Sequence, residues 1–225
     1  MYQEKPKAGA KQILKRVLPD AWLKERDIFL RLGPKAGATY AWLRLLDRMG
    51  VRLWSKDVIK PSARSFLFVC FGNIMRSPMA ELMFRKSAAD DNLQDVRAGS
   101  AGVHAILGRE AHPWALAASQ ELGLSLAGHR ARPLTPELVA QADAVFVMDF
   151  QNKAEVLALY PEAKERVFML SAYADGPGRY REIPDPYFGD LETTRHCYAI
   201  LQACIRNLTT EIASRCSRSV ASLPS

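Results

Sequence analysis

Cysteine is scarce in this chain: Cys70, Cys197, Cys204 and Cys216 are the only four in 225 residues. None of the spacings between them is that of a pair, which excludes a disulfide framework and a cysteine-based zinc site. Histidine also occurs only four times, and His104, His112 and His196 stand in no ligand pattern. Long apolar runs are missing, and none reaches the roughly 18 residues needed to span a bilayer. The opening Met-Tyr-Gln-Glu-Lys-Pro-Lys lacks the apolar centre of a signal peptide. These absences lead us to expect a cytoplasmic protein in a reducing compartment. A composition that is 48% hydrophobic and 24% charged fits one globular domain with an appendage.

Acidic residues are thin only at one end. Residues 1–62 carry 14 Lys/Arg and 6 Asp/Glu, a balance of +8, whereas residues 63–225 carry 17 and 18, a balance of −1. The whole basic excess therefore lies in the N-terminal quarter, ahead of a near-neutral, enzyme-like body. That quarter reads as short helices. One is patterned by Ile13, Leu14, Val17 and Leu18; a second covers Ala21–Leu32 and is ended by Gly33-Pro34. A third covers about Ala38–Met49, and Lys60-Pro61-Ser62 reads as the linker. The domain expectation is thus a basic helical extension over 1–62, a catalytic body over 63–215 and a frayed tail over 216–225.

The body alternates strands and helices. Strands are expected at Ser65–Cys70, Val96–Ala101, Ala144–Met148 and Arg166–Leu170. Helices are expected at Pro78–Ala89, Ala111–Leu122, Asn152–Leu159 and about Leu191–Ser214. This order predicts an α/β fold, a parallel sheet covered on both faces, with its ligand site at the carboxyl ends of the strands.

Cys70 stands at such an end and opens a specific run of residues. Cys70-Phe71-Gly72-Asn73-Ile74-Met75-Arg76-Ser77 leads from an apolar strand into a helix that tolerates Pro78 in its first turn. A strand, a tight loop and a helix N-terminus build an anion cradle of converging N–H groups. A thiol placed in that field gives up its proton readily, and Arg76 offers a planar fork to two phosphate oxygens. The complementary acid is Asp185, held in a loop stiffened by Pro184 and Pro186, with Tyr187 and Phe188 available to wall a pocket. Cys70 would take the phosphoryl group while Asp185 protonates the leaving oxygen, and Asp185 would then act as base for the hydrolytic water. Ser77 can donate a hydrogen bond to the Cys70 sulfur. Asp149, at a strand end, could either line the site or cap a helix. Cys197 and Cys204 lie on or beside the apolar stripe of the last helix and are expected to pack in the core.

These residues resemble the signature of the low-molecular-weight protein tyrosine phosphatases, Val-Cys-x-Gly-Asn-x-x-Arg-Ser-Pro-x-Ala-Glu, which reads here from Val69 to Glu81. The resemblance continues in the family's order through Ser100-Ala101-Gly102, Gly128-His129-Arg130-Ala131-Arg132, Val147-Met148-Asp149 and Asp185-Pro186-Tyr187. It implies a three-layer α/β/α fold with a four-stranded parallel sheet, a cysteinyl-phosphate intermediate, and no metal or cofactor. It also implies catalytic roles for Cys70, Arg76 and Asp185, and a phosphate loop formed by residues 71–77. Ile106 and Tyr187 would contact the substrate. Asn73, Ser77, Ser100 and His129 would form the hydrogen-bonded shell behind that loop, which holds its left-handed turn.

Two departures from the pattern matter. Met75 stands where many relatives carry a second cysteine, so an oxidised Cys70 has no neighbouring thiol to trap it. Ile106 stands where animal members often carry an aromatic residue, which is more like the bacterial members that act on tyrosine kinases and polysaccharide-export enzymes. Two rival functions stay in view. An arsenate reductase of the same fold would need a cysteine pair on a mobile mid-chain segment, and there is none between residues 71 and 196. A non-catalytic phosphotyrosine-binding module would not need the full set of nucleophile, arginine, serine and acid. The substrate is expected to be a phosphotyrosine protein.

For the extension, intramolecular packing or self-association ranks first, because Trp22, Phe29, Trp42 and Trp54 must be buried somewhere. A protein partner ranks second and an anionic membrane surface third, the latter making the protein peripheral to a membrane. Nucleic acid ranks last, because no recognition motif accompanies the charge.

Overall fold

The computed structural model describes residues 20–51, 59–93, 95–175 and 182–221, with backbone alone for 20–24 and 216–221. The expected piece around Ile13–Leu18, the side chains of Trp22 and Cys216, and Trp54 lie outside what is described.

Strand β1 (Ser65–Cys70) has its last five residues buried. It is central in a four-stranded parallel sheet of order β2-β1-β3-β4, with β2 at Arg97–Gly102, β3 at Ala144–Val147 and β4 at Val167–Met169. A parallel strand packed on both faces must be apolar throughout rather than alternating. Phe66-Leu67-Phe68-Val69 and Ala144-Val145-Phe146-Val147 have that character. Odd and even positions nevertheless serve different layers. Phe66, Phe68, Cys70 and Phe146 face α2 (Arg76–Asp90), α3 (Pro113–Glu121) and α6 (Leu191–Ala221), in one core with Met79, Phe84, Tyr198 and Leu201. Leu67, Val69, Val145 and Val147 face α4 (Pro136–Gln141), α5 (Phe150–Leu159) and part of α1 (Asp20–Arg48), in a second core with Phe150 and Val156. Three layers result, as expected.

Helix α1 is not straight. Gly33 has φ 71° and ψ 177°, a left-handed φ that glycine adopts without strain. Tyr40 Oη lies 2.6 Å from Glu25 Oε2, although fifteen residues of unbroken helix would span about 22 Å. The helix therefore breaks at Gly33 and doubles back, with Gly37 packed so closely on Phe29 that a Cβ would meet its carbonyl oxygen at 2.9 Å. The break was expected, but its consequence for Pro34 was not: Pro34 opens the second half instead of ending the first. That suits proline, which lacks the N–H that a first turn leaves unbonded.

Packing within the chain buries only part of the apolar surface of the extension. Tyr40 and Leu43 enter the second core, whereas Trp42 is 58% exposed and Phe29 39%. A helix lying on α5 has one inner face, and Trp42 is not on it. Most other bounds in the body lie within two residues of expectation, with two larger differences. The short α4 was not foreseen; it is capped by Thr135, whose hydroxyl accepts from Leu138 N. Helix α6 continues past Ser214 to Ala221.

Candidate active site

Cys70 is the last residue of β1, and α2 begins at Arg76. The five residues between them must turn the chain at the strand's carboxyl end. Asn73 makes that turn possible with φ 52°, a left-handed conformation that asparagine tolerates better than most residues. Its side chain holds the shape. Asn73 Nδ2 donates to Ser77 Oγ at 2.9 Å and to Ser100 Oγ at 3.0 Å, and its Oδ1 accepts from Arg132 N at 2.9 Å. His129 Nε2 donates to the Asn73 carbonyl at 2.7 Å, and Ser100 Oγ donates onward to Glu81 Oε2 at 2.7 Å. Asn73, Ser77, Ser100 and His129, assembled from three separate segments, thus form one connected network behind the loop. Gly102 lets β2 pass close by, since a Cβ there would stand 2.7 Å from Asn73 N.

The Cys70 sulfur is buried and doubly partnered: Asn73 N donates to it at 3.3 Å, and Ser77 Oγ lies 3.0 Å away. The N-cap of α2, Met75, supplies no side-chain cap. The first-turn N–H groups are therefore left for an anion. Met75 itself is buried, and its carbonyl accepts from Tyr198 Oη at 3.3 Å.

Arg76 is 2% exposed. Its Nη1 donates to Asp149 Oδ2 at 2.7 Å and to the Ile183 carbonyl at 3.0 Å, and Nη2 donates to Asp185 Oδ2 at 2.6 Å. Burial works against its charge, but Asp149, Asp185 and Cys70 outweigh that and push its pKa above the ordinary arginine value. The guanidinium carries more N–H groups than these contacts use, so Nε and one hydrogen of Nη2 remain for phosphate oxygens. Asp149 takes the capping role, its Oδ1 accepting from Asn152 N at 2.7 Å at the start of α5, and it reaches the site through Arg76 rather than by lining the cavity.

Asp185 reaches the site because Ile183 is pinned beneath it. Ile183 is fully buried, and its N–H donates to the Met148 carbonyl at 2.8 Å, just beyond β3. One further tie comes from α1. Glu182 accepts from Phe150 N at 2.8 Å and pairs with Arg44 at 2.7 Å, and Arg44 in turn bonds Tyr40 Oη and pairs with Glu25. Burial pushes the Glu182 pKa up, against the pull of Arg44.

Cys70, Arg76 and Asp185 meet in one cavity of about 290 Å³, together with Phe71, Gly72, Ile74, Met75, Ile106 and Tyr187. All three expected catalytic residues are therefore brought together with the expected contact residues other than Asn73 and Ser77. Asn73, Ser77, Ser100 and His129 sit behind the wall. Four more residues line the cavity without any role expected from the sequence: Arg31, His104, Arg109 and Gln151. His104 packs against Phe71 in a tilted arrangement with ring centroids 4.6 Å apart, and Arg109 lies over the Tyr187 ring at 5.9 Å. Nothing local in the sequence marks them: His104 and Arg109 flank Ile106 in the loop after β2, whereas Arg31 and Gln151 arrive from α1 and α5. Among the described residues no cluster of metal-ligating side chains occurs, and no helix is long and apolar enough to cross a membrane.

The chain is similar to known proteins. The family profile of low molecular weight phosphotyrosine protein phosphatase matches residues 65–218. The low molecular weight protein-tyrosine-phosphatase Etp of Escherichia coli K12 is 34% identical over 154 residues, 68% of this chain and 95% of its own. A protein-arginine-phosphatase of Bacillus subtilis is 34% identical over 65% of this chain and 95% of its own. The crystal structure of the tyrosine phosphatase Wzb from Escherichia coli K30, in complex with sulphate, superposes with a TM-score of 0.61 at 29% identity, covering 66% of this chain and 98% of that one. The chain belongs to the low molecular weight phosphotyrosine protein phosphatase family.

Proposed function

We propose that this protein hydrolyses phosphotyrosine monoesters in proteins through a cysteinyl-phosphate intermediate, with Cys70, Arg76 and Asp185 as its catalytic groups. The observation that carries the reading is the convergence of these three side chains on one cavity at the N-terminus of α2. The loop N–H groups and the free edge of Arg76 bind the phosphate oxygens. The dianion draws the Arg76 fork away from Asp185 Oδ2, freeing that oxygen to carry a proton. Cys70 Sγ attacks phosphorus, the P–O bond to the phenol breaks, and Asp185 delivers its proton to the departing oxygen. Water then attacks phosphorus as Asp185 takes its proton, the S–P bond breaks to release inorganic phosphate, and Ser77 donates to the departing Cys70 thiolate.

A phosphoaryl group suits the walls. Phe71, Ile74, Ile106 and Tyr187 offer apolar surface, and the basic rim residues Arg31 and Arg109 would repel a guanidinium. That favours phosphotyrosine over phosphoarginine, the substrate named for the Bacillus relative. The finer expectation, a tyrosine kinase or polysaccharide-export enzyme as the physiological target, belongs to the same proposal.

Purified protein should hydrolyse an aryl phosphate with chelator present, and Cys70→Ser should abolish turnover; undiminished activity in that variant removes Cys70 from the role. Asp185→Asn should lower kcat by about 10²–10⁴ while phosphate still competes. Unchanged kcat would exclude it as the acid. A phosphoarginine peptide turned over faster than its phosphotyrosine counterpart would reverse the substrate assignment.

A further inference from the structure

The catalytic cavity does not end at its own rim. A groove of about 520 Å³ continues from it, sharing Arg31, Phe71, His104 and Gln151, and runs between α1 and α5. One wall is Leu32, Pro34 and Lys35 around the break in α1; the other is Val103, Glu155 and Leu159. The family match begins only at residue 65, so the α1 wall lies outside the matched region.

The charges along this groove are unequal in their bonding. Glu155, its one carboxylate, is largely buried and already engaged by His104 Nε2 at 3.1 Å and Gln151 Nε2 at 3.2 Å. Arg31 and Lys35 are both exposed. Arg31 makes a single long contact, 3.4 Å from Nε to the Asp27 carbonyl, and neither cation has a carboxylate partner among the described residues. An open trough with an apolar floor and two uncompensated cations, continuous with a phosphate pocket, matches a polypeptide that carries acidic residues beside its phosphorylated side chain.

We infer that the doubled-back helix of the extension is a substrate wall, on which Arg31 and Lys35 select phosphoproteins with acidic residues flanking the phosphotyrosine. This rests on the phosphotyrosine reading above and names the polypeptide context that the site prefers. Gly33 is the enabling residue, because its left-handed φ turns Arg31 and Lys35 toward one groove.

The test uses the full chain with Cys70→Ser, so that bound peptide is not consumed, and two fluorescent phosphotyrosyl peptides flanked by aspartates or by asparagines. The acidic peptide should bind about tenfold tighter at low salt, with the advantage shrinking as salt screens it. Arg31→Ala should reduce that ratio. Arg31→Glu combined with Lys35→Glu should invert it and create a preference for a lysine-flanked peptide, a gain that misfolding cannot produce. Equal binding of the two peptides by the parent chain, or a preference that survives the double reversal, overturns the inference. Failure of the phosphatase reading is seen separately, as absent aryl phosphate turnover by the chain with Cys70 intact. If that occurs and the charge preference is still present, the groove stands and the catalytic assignment falls.

Discussion

Ser77 has one hydroxyl hydrogen and two places to put it. The Ala101 carbonyl accepts at 3.2 Å, and Cys70 Sγ lies at 3.0 Å. A neutral thiol can donate to Ser77 Oγ and leave the hydroxyl to Ala101, whereas a thiolate can only accept. The same pair of atoms thus accommodates both states of the nucleophile, and Asn73 Nδ2 supports Ser77 Oγ from behind. Asn73 is the residue on which most of this depends. Asn73→Ala should leave several buried polar groups without partners and strain the left-handed turn, costing about 2–4 kcal/mol of stability and most of kcat. Denaturant unfolding together with aryl phosphate kinetics would check it; a variant with unchanged midpoint and turnover would show that the network is dispensable. The other two described cysteines should behave as core. Burial pushes the Cys197 and Cys204 thiols up to about 12. A raised thiol pKa means that both remain protonated at pH 8, when a reactive cysteine must be a thiolate. Iodoacetamide at pH 8 should therefore label Cys70 in the native protein, more slowly with inorganic phosphate present, and spare Cys197 and Cys204. Peptide mass mapping that found either of the latter labelled as fast as Cys70 would contradict this.

At the scale of elements, the acid loop is held from two sides. Ile183 hangs it on the end of β3, and Arg44 of α1 holds Glu182. The tie through Arg44 is not part of the phosphate cradle, so removing it should act on position. Arg44→Ala leaves a partly buried carboxylate unpaired and should cost about 1–3 kcal/mol. It should also lower kcat with less change in KM, since Asp185 is two residues beyond Ile183 and the cradle stays intact. A rise in KM with kcat preserved would place Arg44 in substrate binding instead. The phosphate loop was legible in the sequence because its geometry is local: strand, turn and helix start are contiguous, and Asn73, Arg76 and Ser77 keep fixed offsets from Cys70. The acid was legible because prolines frame it. Arg44, Gln151 and His104 were not, because their parts depend on how α1 and α5 pack, which no short pattern encodes. A count of large apolar groups in the extension does not say which of them pack within the chain. Tyr40 and Leu43 are on the inner face and Trp42 is not, a distinction set by the direction in which the chain leaves Gly33. Helix α4, with six residues, is too short for a periodic signal.

For the whole molecule, the question is whether the extension is scaffolding or part of the enzyme. A chain beginning at Ala63 would lose Tyr40 and Leu43 from the second core and Arg44 from Glu182 in one step. The first loss is apolar and should lower the Tm at every pH. The second loss also uncovers Glu182, so its pH dependence is read in the full chain carrying Arg44→Ala, where α1 stays in place. The Glu182 pKa is already raised by burial, with Arg44 pulling it down; with α1 kept and Arg44 gone it rises further. A carboxyl group whose folded pKa exceeds its unfolded value contributes stability at low pH, and loses it as pH rises through the folded pKa. Arg44→Ala should therefore cost more stability at pH 7 than at pH 4. The shortened chain should be less stable than the full chain at both, and its aryl phosphate kcat should fall, because the acid loop has lost its second anchor. Thermal melts of the three chains across that range, with kinetics at each pH, would decide the matter. An Arg44→Ala Tm gap that narrows as pH rises would remove Glu182 from the account, and equal melts and rates for the full and shortened chains would leave the extension with no part in holding or shaping the catalytic body.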